Sequence, residues 1–226
     1  MVSDEELGEM RGKFIQPASV NFFGIQLSSA WQTNDGIVLT ATLQFEADLN
    51  QGQPQGSPVV LASWTHDNED PTLNIPGTTT PDLGGLMTVN GAVQVNDISG
   101  GENHVRNELY VRVGPFDAGN AGFQDAGDPI DSSKTLQFAD GSEIQFKIDP
   151  NGIGLLLQGP VGHDSDGFAL QSVNGNMANQ LAQHVQLVGN ANAIQNQLDV
   201  VIGIDQLQTT QTAVENALSA MKGWGF

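Results

Sequence analysis

From Ile37 to Leu49 every second residue is apolar: Ile37, Leu39, Ala41, Leu43, Phe45, Ala47 and Leu49 alternate with Val38, Thr40, Thr42, Gln44, Glu46 and Asp48. A period of two does not suit a helix. It suits a pleated strand, whose successive side chains leave opposite faces. The strand's apolar face must then be covered by another layer. Just upstream, Phe23, Ile25, Leu27, Ser29 and Trp31 repeat the pattern, and Thr33-Asn34-Asp35-Gly36 supplies turn residues between the two runs. A hairpin is expected.

Further strands are expected over residues 58–64, 86–98, 105–113, 135–138, 143–148, 153–157 and 168–173. At Asp140-Gly141 a three-residue loop over 140–142 sets Phe138 beside Ile144 and Leu136 beside Phe146, whereas a two-residue loop sets apolar beside polar. The apolar match predicts a bulged hairpin. Nine or ten strands with turn punctuation predict a mainly β chain, an antiparallel β-sandwich of jelly-roll type.

Three stretches divide the chain. Residues 1–13 form a leader-like or short helical segment, with Ser3 and Glu6 as its capping box. Residues 14–175 form the sandwich. Residues 176–226 form an amide-rich C-terminal segment. In that last stretch Ala178, Leu181, Ala182, Val185 and Val188 fit helical spacing, Gly189-Asn190-Ala191-Asn192 reads as a turn, and Leu198, Val200, Ile202 and Ile204 alternate. A C-terminal helix is expected over 207–221.

Charge narrows the function. Acids outnumber bases 26 to 7, for a formal charge of −19. Phosphate backbones and anionic membrane surfaces repel such a chain, so nucleic acid is not an expected partner. No apolar run reaches the roughly 20 residues a spanning helix needs. One Tyr and three Trp are too few for a barrel's aromatic girdles. There is no Cys, and the 39 Asn and Gln exceed the 33 charged residues. The balance fits an exported bacterial protein, extracellular or at the cell surface, without membrane insertion.

No Gly-x-Ser-x-Gly elbow is present, and His66, His104, His163 and His184 lack zinc-binding spacing, so no enzyme activity is expected. Lone histidines in polar loops are expected to be solvated. Asp164-Ser165-Asp166-Gly167 places alternating oxygen ligands at a turn, which suits Ca²⁺. Asp125, Asp128 and Asp131 make a second acidic loop, so calcium is the one cofactor the loops imply. Two other readings follow from the same acids: a calcium-dependent module for polysaccharide or surfaces, and a secreted hydrolase working with paired carboxylates.

Two short stretches resemble known families. Residues 2–12, acidic and ending Arg11-Gly12, resemble the leaders of double-glycine exported bacterial peptides. Residues 186–197, Gln-Leu-Val-Gly-Asn-Ala-Asn-Ala-Ile-Gln-Asn-Gln, are similar in a single copy to a curlin-type repeat. That resemblance implies an extracellular fibre in which amide side chains stack. Phe14, Ile15, Val20, Phe22, Phe23, Ile25 and Leu27 are apolar on both faces around 22–25 and form a strand suited to donation into a neighbouring subunit. Leu198, Val200 and Ile202 are expected to stack in the same assembly. The expected partner is the chain itself, as a homo-oligomer or filament.

Overall fold

The alternation over residues 23–49 becomes a hairpin of two long strands in the computed structural model. β1 (Val20–Gln32) and β2 (Val38–Asn50) pair antiparallel with Trp31 opposite Leu39, Leu27 opposite Leu43, Ile25 opposite Phe45 and Phe23 opposite Ala47. Apolar side chains therefore meet on one face, as the period of two requires. Thr33 N–H bonds Ile37 O at 2.9 Å and Thr33 Oγ1 accepts from Ile37 N–H at 3.1 Å, closing the turn. The structure describes residues 20–50, 53–66, 72–74, 91–123, 127–149, 152–160, 165–174 and 180–204.

The described strands continue with β3 (Gln53–Pro54), β4 (Val59–His66), β5 (Thr72–Asn74), β6 (Gly91–Ser99) and β7 (His104–Gly114). They end with β8 (Asp128–Pro129), β9 (Lys134–Gln137), β10 (Glu143–Asp149), β11 (Gly152–Gln158), β12 (Ser165–Asn174), β13 (Gln180–Gly189) and β14 (Ala193–Ile204). Two seven-stranded sheets result. One runs β7-β14-β1-β2-β4-β8, with β3 paired to β2; the other runs β5-β9-β10-β11-β12-β13-β6. Every pair is antiparallel except β13 with β6 and β14 with β7. The sheets enclose one core, in which Phe23, Leu27, Trp31 and Phe45 of the first meet Leu136, Phe146, Leu155 and Val185 of the second. The chain is a mainly β sandwich.

Two local expectations are corrected. The spacing over 178–188 gives a strand, not a helix: β13 lies antiparallel to β12, with Ala169 opposite Val185 and Val173 opposite Leu181. Leu181, Val185 and Leu187 occupy alternate positions as well as helical ones, and a buried Gln183 between them hides the alternation. At 138–142 the loop is Ala139-Asp140-Gly141. Leu136 pairs with Ile144 and Phe146 with Lys134, two residues away from the expected register, with the loop starting one residue earlier. Asp140 sets that shift: its Oδ1 accepts from Ser142 N–H at 2.9 Å and Ser142 Oγ at 2.6 Å, while Gly141 N–H reaches Phe138 O. The leader or helix of residues 1–13, the C-terminal helix over 207–221, and Phe14 and Ile15 lie outside the described residues.

Candidate functional site: one sheet-crossing arch stacked on another

β6 belongs to the second sheet and β7 to the first, so the turn between them carries the chain from one layer to the other. β13 and β14 make the same crossing. Each unit is an arch, and not a hairpin, because its two strands do not pair with each other. The upper arch lies on the lower in parallel register: Gln94 opposite Gln183, Asn107 opposite Asn196, Leu109 opposite Leu198. One offset of 89 residues serves both strands and the crossing between them.

With that offset the sequence repeats itself. Gln94 matches Gln183, Gly100 matches Gly189, Asn103 matches Asn192, Asn107 matches Asn196, Leu109 matches Leu198, Val111 matches Val200 and Gly114 matches Gly203. The backbone repeats too. Glu102 and Ala191, at equivalent places in the two crossings, are the described non-glycine residues with positive φ, 59° and 55°. A left-handed residue in each crossing is what turns the chain out of one sheet and into the other. The crossings bond to each other: Gly101 N–H to Asn190 Oδ1 at 2.8 Å, Asn103 Nδ2 to Gly189 O at 2.8 Å, and Asn192 N–H to Asn103 Oδ1 at 3.0 Å.

Inside the arches the amides form one connected path. Gln94 Nε2 donates to Gln183 Oε1 at 2.6 Å, and Gln183 Nε2 to Gln171 Oε1 at 3.0 Å. Gln171 Nε2 donates to Ser29 Oγ at 2.8 Å, and Ser29 Oγ to Asn196 Oδ1 at 2.7 Å. Asn196 Nδ2 then donates to Asn107 Oδ1 at 2.9 Å, and Asn107 Nδ2 to Asn96 Oδ1 at 2.8 Å. Gln171, Gln183, Ser29 and Asn196 are buried, so the path is a satisfied polar belt across the core. Both ends of the belt, Gln94 and Asn96, stand on β6.

The upper arch is open. Among the residues of β6 and β7 only Gly114 is buried. Ile98 is 40% exposed and Val111 37%, whereas Leu187 and Val200, the same positions in the lower arch, are 0%. Among the described residues no strand lies beyond this arch, and the interior of the sandwich ends there at a cut face. The opposite sheet ends differ: the described terminal strands there, β8 and β5, have two and three residues, and β8 contains Pro129. Short strands and proline blunt an edge against further pairing.

The residues expected to carry assembly fall inside the fold. Val20, Phe22, Phe23, Ile25 and Leu27 are buried on β1, which already pairs with β14 on one side and β2 on the other. Leu198, Val200 and Ile202 are buried on β14, beneath the upper arch. In this chain the two-sided apolarity serves a strand central in its own sheet. The arch over 91–114 gives no comparable sequence signal, because β6 is half amide and small residues. Its signal is the repeat, spread over a separation longer than the resembling stretch at 186–197.

The metal candidates are only partly described. Asp128 and Asp131 are exposed, Asp131 accepting from Ser132 Oγ, while Asp125 and Asp164 lie outside the described residues. Ser165, Asp166 and Gly167 open β12 and do not form a loop. Gly167 is needed there because a Cβ would stand 2.1 Å from Gln186 O. Among the described residues no group of three acidic or histidine side chains is arranged to hold a metal ion. His66, expected in solvent, is buried: its ring stacks on Phe138 at 4.2 Å between centroids and Nε2 meets Asp140 Oδ2 at 3.0 Å.

Parallel, in-register strands, like residues over like and amides laddered between layers are the features of cross-β stacking. The class so defined is a β-sandwich that carries cross-β layering at one end. Relatives agree with it. The chain is 30% identical over 197 residues to a functional amyloid subunit FapE of Pseudomonas aeruginosa, covering 86% of this chain and 73% of the relative. It is 27% identical over 227 residues to a functional amyloid subunit FapE of Pseudomonas fluorescens, covering 98% and 86%. The chain belongs to the FapE family of functional amyloid subunits, which places it outside the cell or at its surface. No family model and no solved structure matches it.

Proposed function

We propose that the chain is a structural subunit of an extracellular fibre of the biofilm matrix, and that it joins the fibre by adding strands at the β6–β7 edge. The single observation that carries this is the stacked pair of arches. A segment of this chain already packs on another by in-register layering, and among the described residues nothing pairs with the outer edge of the uppermost layer. The strand addition is augmentation at an edge, with main-chain bonds for affinity and the amide and apolar ladders for register. A family of amyloid subunits supplies the setting. Joining through β1 would require opening the centre of the first sheet, so the edge is the economical route.

Epitope-tagged chain expressed in its native host tests the reading. Fibres sheared from the biofilm, washed in detergent and labelled with gold are expected to carry the tag. A tag confined to the soluble fraction contradicts a fibre role.

A further inference from the structure

We propose that the chain is a terminal unit of the fibre: its β6–β7 edge receives one arch of a different fibre subunit, and growth beyond the chain stops. The inference rests on the fibre role proposed above and adds direction and partner to it.

Polarity carries the argument. Both arches run the same way, so the bare face of the upper one is the face that the lower one presents to it. An incoming arch in the same orientation meets a template already shown to accept that geometry. A second copy of this chain does not fit. Its lower arch is covered by its own upper arch, and two upper arches brought face to face are related by a two-fold axis, which sets their strands antiparallel. The parallel ladders of Gln94 and Asn107 would then find no partner in register. Among the described residues the far ends of the two sheets close in strands of two and three residues, the first with Pro129. A unit with one receptive end and one blunted end ends a stack, as terminal repeats do in layered proteins.

The partner's chemistry follows from what it must cover. It is a strand-arc-strand segment with Gln or Asn above Gln94 and Asn107, an apolar residue above Ile98 and Val111, and a glycine-bearing crossing above Gly100. Arg106 and Arg112 point from β7 on the outer face, and the layer beneath them carries Gln195 and Val201. The incoming strand therefore has no cation at those two positions.

The experiment adds purified, gold-labelled full-length chain to sonicated fibres from a Pseudomonas aeruginosa biofilm and follows elongation. Gold at one end of each fibre, with elongation halted at a small molar fraction of chain, is the expected result. Gold along the whole fibre overturns the terminal role and leaves the subunit role standing. Absence of gold from fibres overturns both. The double variant Ile98→Lys with Val111→Lys places charges only at exposed positions, and its fold is checked by circular dichroism. It is expected to need tenfold more chain to halt growth. Equal potency in a folded variant shows that the edge is not the contact.

Discussion

Gln171 shows what single residues contribute here. Its side chain is wholly buried, donates to Ser28 O and Ser29 Oγ, and accepts from Gln183. Leucine has nearly the same volume but leaves those partners unpaired. Gln171→Leu is therefore expected to cost about 1–3 kcal/mol, read as a lower urea midpoint with unchanged slope. Two carboxyls respond to pH in opposite senses. Burial pushes Asp140 up, but hydrogen bonds from Ser142 and His66 outweigh it and hold its carboxyl below the usual range. Its contribution is complete above the unfolded carboxylate range and is lost as the pH falls through the lowered folded value. Asp140→Asn is expected to melt below wild type at pH 7, the gap closing in acid. Glu46 is raised, first by burial and also by Asp48, against a bond from Gln44. Its folded form binds the proton more tightly, so stability falls as the pH rises through the raised value. Glu46→Gln is expected to melt above wild type at pH 7, with no difference well below pH 4. Melting curves of the two variants across that range check both signs.

At the scale of elements, β1 and β2 were legible because alternation, turn residues and apolar matching all agreed over 23–49. β13 was not, since one buried glutamine broke the apolar period and let helical spacing compete. The slip at 138–142 came from Asp140, whose side-chain bonds to Ser142 fix a loop one residue earlier that still sets Leu136 opposite Ile144. The arches were invisible for a deeper reason. A strand-turn-strand pattern reads the same whether its strands pair with each other or cross between sheets, and only long-range pairing decides. Apolarity on both faces of β1 marked burial without saying by which chain. Gly100 fixes the upper crossing. Its φ is +115°, and a Cβ would lie 1.8 Å from Gly189 O in the layer below. Gly100→Ala is expected to destabilise by more than about 1 kcal/mol. Leu198, at 0% exposure beneath the upper arch, is expected to cost about 2–5 kcal/mol as alanine. Thermal or denaturant unfolding reads both.

The whole molecule combines a charge of −19 with an uncovered edge. Repulsion keeps copies apart at low ionic strength, and salt shortens its range from about 30 Å at 0.01 M to about 8 Å at 0.15 M. Repulsion between copies is therefore expected to weaken across that interval, measured as a fall in the second virial coefficient by light scattering. Composition and charge made the extracellular setting legible, whereas the direction of assembly lies in the contrast between two sheet ends that no stretch of sequence displays. The central claim is that the 91–114 arch is a bare layer waiting for another. Amide hydrogen exchange on the full chain, free and bound to fibres, tests it most directly. Slow exchange is expected over 193–204 in both states, and faster exchange at the outward-facing amides of 91–114 that slows on binding, the amides bonded to β13 and β14 being protected throughout. Outward-facing amides of 91–114 equally protected in the free chain, or equally fast when bound, would contradict it.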